Sequence, residues 1–135
     1  MKDVNNKRAP NARPKHPRPS LPKVSEEMKA WSAALAAEVT TWPSVTTRPM
    51  FGFTALYRHR KIFAVLPCTR GMETPNSLAF KLESAGPRTL ARARRDPRIG
   101  FTEMRKARWM NLEITSDADL RSALEWLSRA YEAAR

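Results

Sequence analysis

Pro49-Met50-Phe51-Gly52-Phe53, then Leu56-Tyr57, then Lys61-Ile62-Phe63-Ala64-Val65-Leu66, then Ser77-Leu78-Ala79-Phe80-Lys81-Leu82: residues 49–82 alternate short apolar segments with polar turns. Segments of this length and spacing read as consecutive antiparallel strands, with a glycine at the first bend. They make an antiparallel sheet the centre of the fold. No nucleophile, metal-ligand set or phosphate loop lies on them.

Working outward, strands are expected at 45–48, 53–58, 60–67 and 77–82. Arg58-His59-Arg60 reads as a tight hairpin turn, although it lacks the usual glycine or asparagine. Residues 68–76, with Gly71 and Pro75, form a longer loop. Gly52, inside an apolar run, marks a bulge, a positive φ or the close approach of another backbone. Upstream, Ser25 followed by Glu26-Glu27 reads as an N-cap with acids in the first turn, where the helix dipole favours them. Met28, Trp31, Leu35 and Val39 then recur at helical spacing, and Trp42-Pro43 stops the helix.

Downstream, Pro87 opens a second helix with Arg88, Arg92 and Arg95 on one face and Leu90 and Ala93 on another. Asp96-Pro97 ends it, and a loop with Gly100 follows. Trp109-Met110-Asn111-Leu112-Glu113-Ile114 alternates as a last strand. Ser116-x-x-Asp119 has the form of a capping box, with Asp in place of Glu or Gln. Leu120, Leu124, Leu127 and Tyr131 then form the apolar stripe of a closing helix. The expected architecture is an α+β domain: one antiparallel sheet of about five strands, with an N-terminal, a middle and a C-terminal helix packed on one face. Phe51, Phe63, Val65, Trp31, Leu112, Leu124 and Leu127 are expected to share its core.

The 135 residues, 41% of them hydrophobic, suit one domain with a modest core. Residues 1–24 are set apart by seven Lys/Arg against the single acid Asp3, and by five prolines. Proline removes amide donors and like charges repel, so residues 1–24 are expected to be a disordered basic tail and residues 25–135 the folded domain. The tail is either an electrostatic arm or a solubilising extension that could begin at a mis-assigned start codon. Its charge of +6, taken from the total of +12, leaves +6 on residues 25–135. No apolar run approaches the roughly 18–20 residues of a membrane span, and the N-terminus lacks a secretory h-region. Cys68 stands alone and cannot close an internal disulfide, in keeping with a reducing compartment. A cytoplasmic location is expected.

Catalytic chemistry finds little material. Of the two histidines, His16 lies in the tail and His59 in a turn. A strand of about seven residues would hold His59 roughly 20 Å from Cys68. One cysteine and two histidines at this spacing cannot build a tetrahedral metal site. The glycines are isolated, so no loop cradles a phosphate. The expectation is a non-enzyme without cofactor or metal. Three basic clusters remain: Arg58, Arg60 and Lys61 at the hairpin turn; Arg88, Arg92 and Arg95, with Arg94 and Arg98, on the middle helix; and Arg105, Lys106 and Arg108 running into Trp109. A hairpin tip and a basic helix face are common ways to hold phosphates, and equally common as solvated surface. Trp109 is either core or a surface on which an unpaired base stacks.

Met50-Phe51-Gly52, Leu56-Tyr57, Lys61-Ile62-Phe63-Ala64 and Phe80-Lys81 together resemble the TfoX N-terminal domain and the YjbR-like small proteins. Trp109-Met110-Asn111-Leu112 and Leu127-Ser128-Arg129-Ala130-Tyr131 are similar to the last elements of YjbR-like chains, and to small bacterial domains labelled luciferase-like. Phe53 stands where TfoX-like sequences often carry a second glycine, and the C-terminal helical domain of full-length TfoX has no counterpart. The resemblance implies an α+β, non-enzymatic domain with nucleic acid as candidate partner, and supplies no catalytic residue. The alternative function is a protein-interaction or small-ligand module whose basic charge is incidental.

Overall fold

The computed structural model describes residues 23–72, 74–101 and 108–135, with Phe101 described by its backbone. The elements run α1 (Glu26–Val39), β1 (Val45–Met50), β2 (Phe53–Arg58), β3 (Lys61–Pro67), β4 (Ser77–Lys81), α2 (Pro87–Arg95), β5 (Ile99–Phe101), β6 (Trp109–Glu113) and α3 (Asp119–Ala133). Among the described residues the strands form one six-stranded sheet in the order β1-β2-β3-β4-β6-β5. Every neighbouring pair is antiparallel. This is the α+β class expected, with one strand more. The addition, β5, is three residues long with a glycine at its centre, too short to show alternation.

Two-residue turns close both ends of β2. At one end Phe51 and Gly52 both take positive φ, 51° and 88°, and Met50 pairs with Phe53. Two left-handed residues in succession match the twist of the flanking strands. At the other end His59 takes φ 56° and Arg58 pairs with Lys61. Between them the β2–β3 ladder slips: Leu56 faces Ala64, but Tyr57 faces Ile62. Phe63 is therefore the extra residue of a bulge, which turns both Phe63 and Ala64 into the core.

Alternation along the strands sends Leu56, Leu66, Leu78, Phe80, Met110 and Leu112 to the face that α1 and α3 cover. Met28, Trp31, Leu35 and Val39 of α1 meet them there, as do Trp126, Leu127, Ala130 and Tyr131 of α3. α2 adds Ala93 and the half-buried Leu90 to the same core, so all three helices serve one face, as expected. Ser25 caps α1 by accepting the Met28 N–H at 3.0 Å. Trp31 Nε1 donates to Asp117 at 2.6 Å and ties α1 to the entry of α3. Tyr131 joins three elements: its ring meets Phe63 and Trp42 edge-on, and its hydroxyl donates to the Pro43 carbonyl at 2.8 Å.

Several expectations need correction. Phe51 is 87% exposed rather than core, because it is a central residue of the turn between the paired Met50 and Phe53. Leu124 is half-buried and packs against the core from the margin of α3, since the buried stripe is rotated onto Ala123, Trp126, Leu127, Ala130 and Tyr131. Trp126 stacks on Phe80 with ring centroids 5.6 Å apart. Val65 is buried, but on the opposite face of the sheet, outside the main core. Lys23 and Val24 belong with the domain rather than the tail: Lys23 bridges to Arg70, and Val24 is buried. Residues 1–22, Arg105 and Lys106 lie outside the described residues.

Candidate functional site

α2 is the most highly charged element of the fold. Pro87 occupies its first turn, where a missing amide costs nothing. Its sequence PRTLARARR carries four arginines and no acid, and all four are exposed. Arg92, Arg94 and Arg95 fall in the last turn, where cations complement the helix dipole. Ala93 anchors the opposite side in the core.

Between α2 and α3 runs an open groove whose walls include Arg92 and Arg95 on one side and Arg129 on the other, with Trp126 between them. The Arg129 guanidinium lies over the Trp126 indole, 4.7 Å from the ring centroid. Such a cation–π contact holds the charge in place while leaving its N–H donors available. The groove continues along α3 past Leu124 and Ser128 towards Ser84 and Arg135.

Two acids line the groove: the exposed Glu125 on α3 and, at the α2 end, Asp96, which is already engaged. Asp96 accepts the backbone N–H of Arg98 at 3.0 Å, its Nε and Nη2 at 3.1 Å, and Trp126 Nε1 at 3.1 Å. Burial pushes the Asp96 carboxyl up, but these donors together hold it below its ordinary value. Arg98 also reaches Asp119 at 3.2 Å, and its guanidinium is held charged by both acids. Asp119 is depressed chiefly by the Thr115 N–H, against some opposition from burial, then by the Thr115 hydroxyl and Arg98. Arg98 is thus a structural tie between β5 and α3. Arg92, Arg94 and Arg95 have no ion pair among the described residues.

The sequence-derived clusters divide. Arg92 and Arg95 come together with Arg129, and Arg88 is exposed on the same helix. Arg60 is exposed in its turn. Arg58 is engaged within the fold: its guanidinium lies over the Tyr131 ring at 4.1 Å and donates to the Tyr131 carbonyl at 2.9 Å. Lys61 donates to the Arg135 carbonyl at 2.7 Å and stands 3.7 Å from Glu83. Arg108 is half-buried at φ 67° and donates to the Ala85 carbonyl at 3.2 Å. These side chains hold the ends of α3 and the approach to α2 in place. Sequence reading missed Arg129, because Arg121, Glu125, Arg129 and Glu132 alternate in sign like any solvated helix face. The available signal was its spacing of three residues from Trp126.

Cys68 and His59 flank opposite ends of β3. Among the described residues no three His, Cys, Asp or Glu side chains gather as a metal site, and no helix is long and apolar enough to cross a membrane. No family model, curated protein or solved structure matches this chain.

Proposed function

We propose that this protein is a non-enzymatic, cytoplasmic domain of TfoX/YjbR-like type that binds nucleic acid through its phosphates, at the groove between α2 and α3. The observation that carries the reading is the surplus of positive charge there. Arg92 and Arg95 of α2 and Arg129 across the groove outnumber its acids, Glu125 and an Asp96 that Arg98 and Trp126 already occupy, and Arg88 and Arg94 add exposed charge on the same helix. Guanidinium groups with unused donors match phosphate oxygens in shape and charge. Contacts of this kind position a polymer without reading its sequence.

The test is the salt dependence of binding by the full chain. Contact with about six phosphates gives a log–log slope near −5 on duplex DNA. Replacing Arg92, Arg95 and Arg129 together by glutamine flattens that slope by about 2.7, one counterion being released per lost contact. An unchanged slope in a folded variant makes the groove a solvated surface and favours a protein-interaction or small-ligand module.

A further inference from the structure

The sheet has a second face on which, among the described residues, no helix packs. Register assigns its occupants. A row of small residues crosses it: Ala55 of β2 faces Val65 of β3, Val65 faces Ala79 of β4, Ala79 faces Asn111 of β6, and Asn111 faces Gly100 of β5. Larger side chains stand on either side of this row, with Met50 and Phe53 on one flank and Tyr57 and Ile62 on the other, all half-buried. The Arg48 guanidinium, itself on an exposed residue, lies 5.5 Å from the Tyr57 ring centroid.

Two features of this face are unusual for a folded surface. Phe51, at its corner, is 87% exposed at φ 51°, a conformation that a glycine or asparagine would adopt at lower cost. The turn is nonetheless fixed: the Gly52 carbonyl accepts the N–H groups of Cys68, Thr69 and Arg70 at 3.0, 2.9 and 3.3 Å. The ring is therefore presented to solvent from a rigid support, and the exposed Arg70 lies against the neighbouring Gly52. The second feature is Asn111, 7% exposed, whose carboxamide oxygen has no hydrogen-bond partner. It is an acceptor without a donor, flanked by Ala79 and Gly100, which bring no side-chain donor to it.

We infer that this face, with Phe51 as its projecting corner, takes unpaired bases, so that the nucleic acid bound by this domain is single-stranded. Flat aromatic rings on a sheet, set beside arginines, stack bases of any sequence. The Asn111 oxygen is an acceptor for a base amino group. A lipid surface fits less well, because the exposed residues gathered at Gly52 beside Phe51 are Cys68, Thr69 and Arg70, while the apolar Met50 and Phe53 that flank the turn are half-buried. The inference rests on the proposed nucleic-acid function for the polymer class, and adds the strandedness and the second surface.

The experiment compares full-length protein and variants by fluorescence anisotropy, on a labelled oligodeoxythymidylate and on a mixed-sequence duplex of equal length. Phe51→Ala should weaken single-strand binding by about fivefold or more while changing duplex binding less than about twofold, and Phe51→Trp should restore it. Because Phe51 is exposed, both variants should keep the parental unfolding midpoint. Equal losses on the two probes, or no loss on the single strand, overturn the inference. If that happens while the Arg92/Arg95/Arg129 variant still loses affinity, the groove reading stands alone. If the parent binds neither probe at low salt, both readings fall. Binding to phosphatidylglycerol vesicles that Phe51→Ala abolishes, with single-strand affinity unchanged, would identify a lipid surface instead.

Discussion

The same strands build two unlike surfaces. On the covered face Leu56, Leu66, Leu78, Phe80 and Leu112 are at most 1% exposed and interlock with α1 and α3. On the open face the buried positions include Ala55, Val65, Ala79 and the polar Asn111, while Met50, Phe53, Tyr57 and Ile62 remain half in water. Side chains of successive strand residues point to opposite faces, so each strand serves both surfaces at once. Stability comes from the covered face, and the open face is left to display aromatic and basic groups in a fixed array.

The sharpest way to break this comparison is to truncate one ring on each face. Phe80→Ala removes a fully buried ring and its stack on Trp126, and should cost about 3–5 kcal/mol in urea unfolding. Tyr57→Ala, on the open face, should cost no more than about 1 kcal/mol. Equal losses would make the open face a second core and remove its claim to a ligand.

Next in size is the support of the open face's corner. A Cβ on Gly52 would lie 2.7 Å from Thr69 Oγ1 and 3.0 Å from Arg70 Cγ, at a φ of 88° that disfavours any side chain. Gly52→Ala should therefore destabilise by about 2 kcal/mol, from strain and from disturbance of the three amides gathered on its carbonyl. A variant as stable as the parent would show that the corner is not rigidly held.

The smallest effect concerns the groove on the covered side. Asp96 has a depressed pKa in the folded state. Its contribution is therefore complete above the ordinary carboxylate pKa of about 4, and is lost as pH falls through the depressed value. Asp96→Asn should lower stability at neutral pH by about 1 kcal/mol and flatten the loss seen below about pH 4. An acid limb of the same steepness in the variant would assign that limb to other carboxylates, Asp119 first among them.

The strands announced themselves because residues 53–66 and 77–82 are short apolar segments bounded by polar turns, and the helices because Met28, Trp31, Leu35 and Val39 recur every three or four residues. Gly52 could be read too: both its positive φ and its close neighbours follow from a glycine inside an apolar run. Phe51 could not. Hydrophobicity places a phenylalanine inside, and turn geometry, which puts it outside, is not a property of the residue itself. The arginines of α2 were visible as a helix face with no acid. Arg58 and Arg108 looked equivalent to them, because a guanidinium that serves a carbonyl and one that stands in solvent have the same sequence signature. What separates them is the distance to Tyr131 and Ala85, which folding alone sets.

Tyr131 connects the far ends of the chain in time as well as in space. Its hydroxyl meets Pro43, its carbonyl meets Arg58 and its ring meets Phe63, partners that a ribosome makes 88, 73 and 68 residues earlier. Both hairpins can form while the chain is being made, and α1 already precedes them, but the part of the apolar face that α3 covers stays open until α3 is synthesised. During that interval a nascent chain exposes Phe63 and Phe80 together, which is the condition under which chaperones bind and neighbouring chains aggregate. A stalled or prematurely terminated copy of this protein is therefore not a smaller version of the domain but a sticky sheet.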